Sequence, residues 1–218
     1  MKIMKPEIFN DLEETNEVIS LIISGNTQDT DISCSGYRIK DFAVENADLT
    51  EISFESVVFD KCKFINCKFK KASFVDTIFE NCDMSNCDFS EAYFCRCEIN
   101  SCKWLGALLQ ETFLKHVSIA NSNGKYMNFD HSKMRYLRIL DSNMSNSSFG
   151  ECKLKDVDFD DVEFTGVNFF RTPLKGIDFI KSSIDGIVVG GDFSELNGII
   201  VDSYQAAELA KLLGIVVK

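Results

Sequence analysis

Nine cysteines and two histidines are the side chains of this 218-residue chain best suited to metal, redox or nucleophilic chemistry. A tetrahedral zinc site would take thiolates from closely spaced C-x-x-C pairs, and a disulfide framework would staple a short, loop-rich secreted chain. The spacing fits neither. Cys62, Cys67, Cys82, Cys87, Cys97, Cys102 and Cys152 differ by multiples of five, and no C-x-x-C occurs. Each stands two residues before a large apolar residue, so these thiols read as small buried hydrophobes. Cys34 and Cys95 lie outside that series, and Cys95 is expected to point outward. His116 and His131 also fall at outward positions, away from any Ser or Cys motif. No phosphate loop or zinc pattern is present. The expectation is a chain with no catalytic residue, no metal ligand and no cofactor, hence not an enzyme.

The element that sets the cysteine spacing is a five-residue repeat. From Leu49 to Val189 every fifth residue is apolar except Gly124, through Phe54, Phe59, Phe64, Phe69, Phe74 and Phe79 to Phe169, Leu174 and Phe179. A helix favours intervals of three and four, and a half-buried strand favours two. Residues two before these centres are small or β-branched, as at Ala47, Ala72, Thr77, Ala92, Ser142 and Val157. In extended chain, residues i and i−2 point to the same side, so both enter a core while the other three positions stay polar. Such units bury their apolar faces only by stacking, which makes a solenoid.

Units such as "NADLT", "VVFDK", "NCDFS", "DVDFD" and "GVNFF" resemble the A-(D/N)-L-x-x pattern of pentapeptide-repeat proteins. The resemblance implies four pentapeptides per square coil. Cys62, Cys82 and Cys102, and likewise Cys67 and Cys87, stand twenty apart and would stack like on like. Earlier centres at Cys34, Ile39 and Val44 extend the register. The fold expected is an all-β solenoid, a right-handed quadrilateral β-helix of about eight coils with a C-terminal helix. At ~4.8 Å per coil the rod would be roughly 38 Å long. Gly124 breaks the pattern in two conceivable ways: a volume swap against Trp104 that keeps the core filled, or a turn with positive φ at Asn123-Gly124 that protrudes as a bulge.

Three parts are expected: an N-terminal cap over 1–31, the repeat over 32–192, and a C-terminal helix and tail over 193–218. "DLEETNEVISLII" could cap the rod as a short helix or as a strand. In "DSYQAAELAKLLGIVVK", Asp202 or Ser203 can N-cap a helix, Gln205 completes a capping box with Asp202, and Gly214 ends it. Its apolar face packs either on its own last coil or on a second copy. "KLLGIVVK" is similar to the tail that joins two rods end to end in the Qnr-like fluoroquinolone-resistance branch of the family. That resemblance implies a homodimer through Ala206, Leu209, Ala210, Leu212, Leu213, Ile215 and Val216, a twofold arrangement common among oligomers.

The net charge of −11 argues against direct binding of nucleic acid or an anionic membrane. "MKIMKPEIFNDLEE" lacks a signal-peptide apolar stretch, and "VISLII" is too short to span a membrane, so a cytoplasmic protein is expected. The Qnr-like branch binds DNA gyrase and topoisomerase IV, lessens quinolone poisoning, and has been described as mimicking duplex DNA. The resemblance implies that partner; a structural or scaffolding protein with a different partner is the alternative. Residues 47 to 189 hold 21 Asp and Glu against 17 Lys and Arg, whereas 38 Å of duplex would carry about 22 charges. The rod is therefore a weak uniform mimic. Sorted by a twenty-residue turn, charge divides by face. The face of Phe59 and Phe79 carries Asp60, Glu80, Glu98, Asp141, Asp158, Asp160, Asp161 and Asp178 against Lys61, Arg138 and Lys181. It is the candidate contact for a basic partner, or else an ordinary solvated surface. The face of Phe54 and Phe74 stacks Lys115, Arg135, Lys155 and Lys175.

Overall fold

The computed structural model describes residues 2–25 and 33–217; the boundary expected between residues 31 and 32 lies outside them. Strands Ser53–Asp60, Ser73–Glu80, Tyr93–Asn100, Phe113–Ala120, Lys133–Asn143 and Lys153–Glu163 form one parallel sheet in which each pairs with the next. The register is twenty residues throughout, so Phe54 faces Phe74, then Phe94, Leu114 and Met134. Hydrogen bonds run from rung to rung, as from Phe64 N to Asp83 O at 2.8 Å and from Lys63 N to Phe42 O at 2.7 Å. Other faces continue through single bridges at the same offset, such as Asp48–Lys68 and Lys68–Asp88.

Corners recur every fifth residue. Asn46, Glu51, Ser56, Lys61, Asn66 and their successors have positive φ, two residues after each apolar centre. Four such corners fall within each twenty-residue register and make the coil square. The left-handed region costs an ordinary residue about 1–2 kcal/mol and Asn or Asp less, which explains Asn at 46, 66, 81, 86 and 121. The Asp or Asn before many centres also has a structural task. Asp48, Asp83, Asp88 and Asn128 each accept the N–H of the residue two later, at 2.8–3.2 Å, as Asx turns.

Inside, the rings stack in columns. Phe54–Phe74 and Phe74–Phe94 centroids are 5.2 and 4.7 Å apart, Phe69–Phe89 4.9 Å and Phe129–Phe149 4.6 Å. Where the small position two before a centre carries a polar tip, that tip in most cases has a partner. Cys62, Cys82, Cys87 and Cys97 point their thiols at Ile39 O, Phe59 O, Phe64 O and Phe74 O, at 3.0–3.4 Å, and Ser132 does the same to Leu109 O at 2.7 Å. Burial pushes the Cys34, Cys97 and Cys152 thiols up to about 12, so they stay protonated donors rather than nucleophiles.

Gly124 stays in register, with its N–H on Asn143 O at 2.8 Å and no positive φ. A Cβ there would meet Met127 Sδ at 2.5 Å and Met144 Sδ at 2.6 Å. Flexible methionines and Trp104 thus fill the volume, and there is no bulge. The strand-bearing stack has about seven turns rather than eight. Pro173 ends it. On earlier rungs the equivalent N–H bonds backward, as from Lys153 to Ser132 O and from Lys133 to Thr112 O, both at 2.9 Å, and proline has none. Leu174, Phe179 and Ile184 remain buried beyond it.

Both ends are closed. At the start a strand, Glu13–Glu14, pairs with Tyr37–Arg38, and a helix α1, Glu17–Ile23, sets Ile19 and Ile22 in the core; the segment uses strand and helix together. At the finish a helix α2 spans Ser203–Leu212, and Asp202 and Gln205 form the capping box at 2.8 and 3.0 Å. Gln205 Nε2 also donates to Phe179 O and Ser182 O, at 2.9 and 2.6 Å, which pins α2 to the last coil.

Before α1 the chain forms a strap along the outside of the Phe54 face. Phe9 N donates to Ser56 Oγ at 2.7 Å, Glu7 N to Asp76 Oδ1 at 2.9 Å and Met4 N to His116 Nδ1 at 3.3 Å. The repeat places Cys95 and His116 outward, yet both are buried, because the strap covers their face. Both side chains point away from the core, as the repeat expects, but the strap keeps them from solvent. Asp76 sits beneath it, and Arg96 Nε lies 2.6 Å from its carboxylate. Burial alone would raise the Asp76 pKa, but Arg96 and the Glu7 N–H outweigh it and hold the carboxyl below its usual value.

Replacing Phe74 by Ala removes one ring from a stacked column and should cost about 3–5 kcal/mol in urea unfolding, while Lys63→Ala on the surface should change stability by under ~0.5 kcal/mol. His116 must be neutral to accept the Met4 N–H. Burial, with Lys115, Arg135 and Arg96 nearby, lowers its pKa below the ordinary histidine value. Its contribution is therefore complete above the unfolded pKa of about 6.5 and falls away as pH drops through that value toward the folded pKa. Urea midpoints should decline between about pH 7.5 and 5.5, and His116→Gln should flatten that decline.

Candidate functional site

Charged side chains on this rod lie in columns, because residues twenty apart sit one rung apart. On the Phe59 face Asp60 stands directly opposite Glu80, and Glu98 lies on the next rung, between Ile78 and Ser118. Asn100, Ala120 and Ser118 then leave a neutral stretch. Asp141, Asp158, Asp160, Asp161 and Asp178 make a second group toward the C-terminal end. The eight carboxylates thus form two patches, not one continuous strip. The second is partly neutralised: Arg138 Nε is 3.2 Å from Asp158, and Lys181 Nζ is 3.0 Å from Asp160. Asp141 and Asp161 occupy corners and are exposed.

Beside this second patch runs an open groove of about 910 Å³, following the corner from Ser101 toward the start of α2. Asp141, Asp161, Glu163, Asp185 and Asp202 line it against Lys103 and Lys181. Asn143 Nδ2 donates to Glu163 Oε2 at 2.5 Å. An acceptor-rich channel of this kind suits the ammonium or guanidinium of a partner chain. Glu163, Asp185 and Asp202 are not among the contact residues expected from sequence. Glu163 and Asp185 lie on successive rungs of a neighbouring face, where Glu163 pairs with Ser183, and the docking of α2 against the last coil adds Asp202 to them.

The terminal module splits its apolar residues. Leu209 and Ala210 are half-buried, with Leu209 packed on the core, and Ala206 is exposed. Leu212, Leu213, Ile215 and Val216 are exposed as well, Val216 by 80%. Packing on the last coil therefore uses one side of α2 and leaves the tail uncovered. Among the described residues no group of three or more His, Cys, Asp or Glu is arranged to hold a metal ion. No helix among them is long and apolar enough to cross a membrane.

Two family profiles described as pentapeptide repeats match the chain, over residues 45–107 and 141–179. Among curated proteins no sequence match is found. Several solved structures are similar to it. A trypsin-treated variant of QnrB1, a plasmid-mediated fluoroquinolone resistance protein, is 19% identical, with 86% of this chain and 98% of that one covered and a TM-score of 0.39. A pentapeptide repeat protein of the Arabidopsis thaliana thylakoid lumen is 18% identical, with 54% and 68% covered and a TM-score of 0.38. HetL from the cyanobacterium Nostoc sp. strain PCC 7120, a pentapeptide repeat protein involved in heterocyst differentiation regulation, is 11% identical, with 82% and 91% covered and a TM-score of 0.31. The five-residue apolar register, the left-handed corners that square each coil and the two profile matches lead to one conclusion: this chain carries pentapeptide repeats over residues 45–107 and 141–179, wound into a square β-helix.

Proposed function

We propose that this chain is a non-catalytic, dimeric rod that binds a type II topoisomerase, DNA gyrase or topoisomerase IV, and lessens its poisoning by quinolones. The observation that carries the reading is the C-terminal end, where a tail similar to that of the Qnr-like branch stays exposed from Leu212 to Val217. Joining two tails about a twofold axis removes that apolar surface from water, with each fully buried Leu, Ile or Val contributing about 1.5–3 kcal/mol. The acidic groove and second acidic patch lie beside this module, so a basic surface of the partner would meet carboxylates near the centre of the dimer. Complementary charge of this kind governs encounter rate and register more than affinity. The Phe59 patch near the N-terminal end is a secondary contact in this arrangement.

The alternative is a scaffolding rod with another partner. Its support is that the acids are divided and partly paired, as at Arg138 with Asp158, unlike the dense uniform charge of duplex DNA.

Gyrase supercoiling at an inhibitory ciprofloxacin concentration should recover as purified protein is added. The combined variant Asp158→Asn, Asp160→Asn and Asp161→Asn should need about tenfold more protein. Recovery unchanged by the variant would move the contact elsewhere, and no recovery at saturating protein would favour the scaffold. Light scattering should give a dimer mass for the wild type and a monomer mass for Leu213→Glu, because a charge cannot be buried unpaired in an apolar interface.

A further inference from the structure

Like charges stacked on successive rungs repel, since each lies roughly 4.8 Å from the next along the rod. The upper half of the Phe54 face holds such a stack. Lys115, Arg135 and Lys155 are direct register partners, and Lys133 pairs with Lys153 two residues to the side. Lys175 extends the first column by another twenty residues. Five of the six are exposed and Lys115 is half-exposed. Among the described residues none of the six lies within 4.0 Å of a carboxylate, whereas Lys68, Lys71, Arg138 and Lys181 on other faces do. The only acid of this face over the same rungs is Asp156.

The lower half of the same face is already occupied, and by an extended chain. The strap runs along the rod axis with its main-chain N–H groups on Ser56, Asp76 and His116, and it reaches the rung of His116 where the cation columns begin. Its Glu7 lies close enough to Arg96 to favour the guanidinium charge. The face therefore accepts an extended polypeptide lengthwise, with a carboxylate over a cation.

We infer that the upper half binds a second extended polypeptide, an acidic segment of a partner protein, along Lys115, Arg135, Lys155 and Lys175 with Lys133 and Lys153 beside them. Four rungs span about 14 Å, and carboxylates two residues apart in an extended chain repeat every ~6.6 Å, so three of them fit on one side. Width selects a peptide over a nucleic-acid duplex. The face is five residues across, at most ~16–18 Å, with Asp158, Asp160 and Asp161 beyond one edge and Glu111 and Glu151 at the other. A duplex would press phosphates on these carboxylates, while an extended peptide fits between them. This surface lies on a different face from the acidic groove and is independent of the topoisomerase reading.

Fluorescence anisotropy with fluorescein-labelled decaglutamate tests the inference on the full chain. At about 50 mM salt the wild type should bind, and binding should weaken as salt rises. The double variant Arg135→Gln, Lys155→Gln should bind about fivefold more weakly, while Lys61→Gln, Lys103→Gln, on other faces, should match the wild type. Absence of binding at low salt, equal loss in both variants, or a labelled oligothymidine that binds more tightly than decaglutamate and loses affinity in the first variant would each overturn it.

Discussion

The rung-to-rung hydrogen bond at a twenty-residue offset is the constraint on which the rest of this molecule depends. Once Phe64 N is committed to Asp83 O and Lys63 N to Phe42 O, every side chain has a fixed counterpart one rung up and one rung down. Rings then stack on rings, thiols meet the carbonyls of the rung below, and charges form columns. A single inserted residue would turn inward-facing centres outward over all later rungs. The unbroken phase from Leu49 to Val189 is thus a packing requirement, and at Gly124 the methionines adjust while the register does not.

The same ladder sustains a backbone that would otherwise be costly. A left-handed residue at nearly every fifth position is tolerated because its N–H is satisfied by the next rung, as from Lys61 to Glu80 O and from Lys71 to Ser90 O, both at 2.9 Å. Asx turns restrain the approach to many corners. The arrangement ends where one component is missing. Pro173 lacks the N–H that would extend the long strand face, and the chain then turns to Ser194–Leu196 and α2, whose Gln205 supplies hydrogen bonds to the last coil in place of another rung.

Function, on such a scaffold, resides in separate faces. The core is spent on stacking, so recognition falls to the outward positions and to the terminal modules. Two of the four faces acquire distinct character: the Phe59 face and its adjoining groove are rich in carboxylates, and the upper Phe54 face is a double column of cations. The strap divides the Phe54 face, covering Ser56, Asp76, Cys95 and His116 and leaving the cations open. The terminal helix likewise turns a row of corner carboxylates into one side of a groove.

Everything governed by the repeat was legible in the residues alone. The apolar centres, the small partners two before them, the stacked Cys62, Cys82 and Cys102, and the Asp202–Gln205 cap all follow from period and local chemistry, because neighbours in space are fixed by a constant sequence offset. Those same rules could sort charges by face. They could not show that Arg138 and Lys181 are bound to Asp158 and Asp160 of the Phe59 face, since side-chain pairing depends on rotamers as well as register. Contacts outside the period were decided by tertiary structure only. Nothing in "MKPEIF" marks it as a strap over His116, more than a hundred residues away, and nothing in Asp202 marks it as a wall of the groove that Glu163 and Asp185 line. A long-range contact between non-repeating segments has no fixed offset to betray it. It arises when the finished rod presents unsatisfied groups, Ser56 Oγ, Asp76 Oδ1 and His116 Nδ1 on one side and Phe179 O and Ser182 O at the end, that the termini can reach.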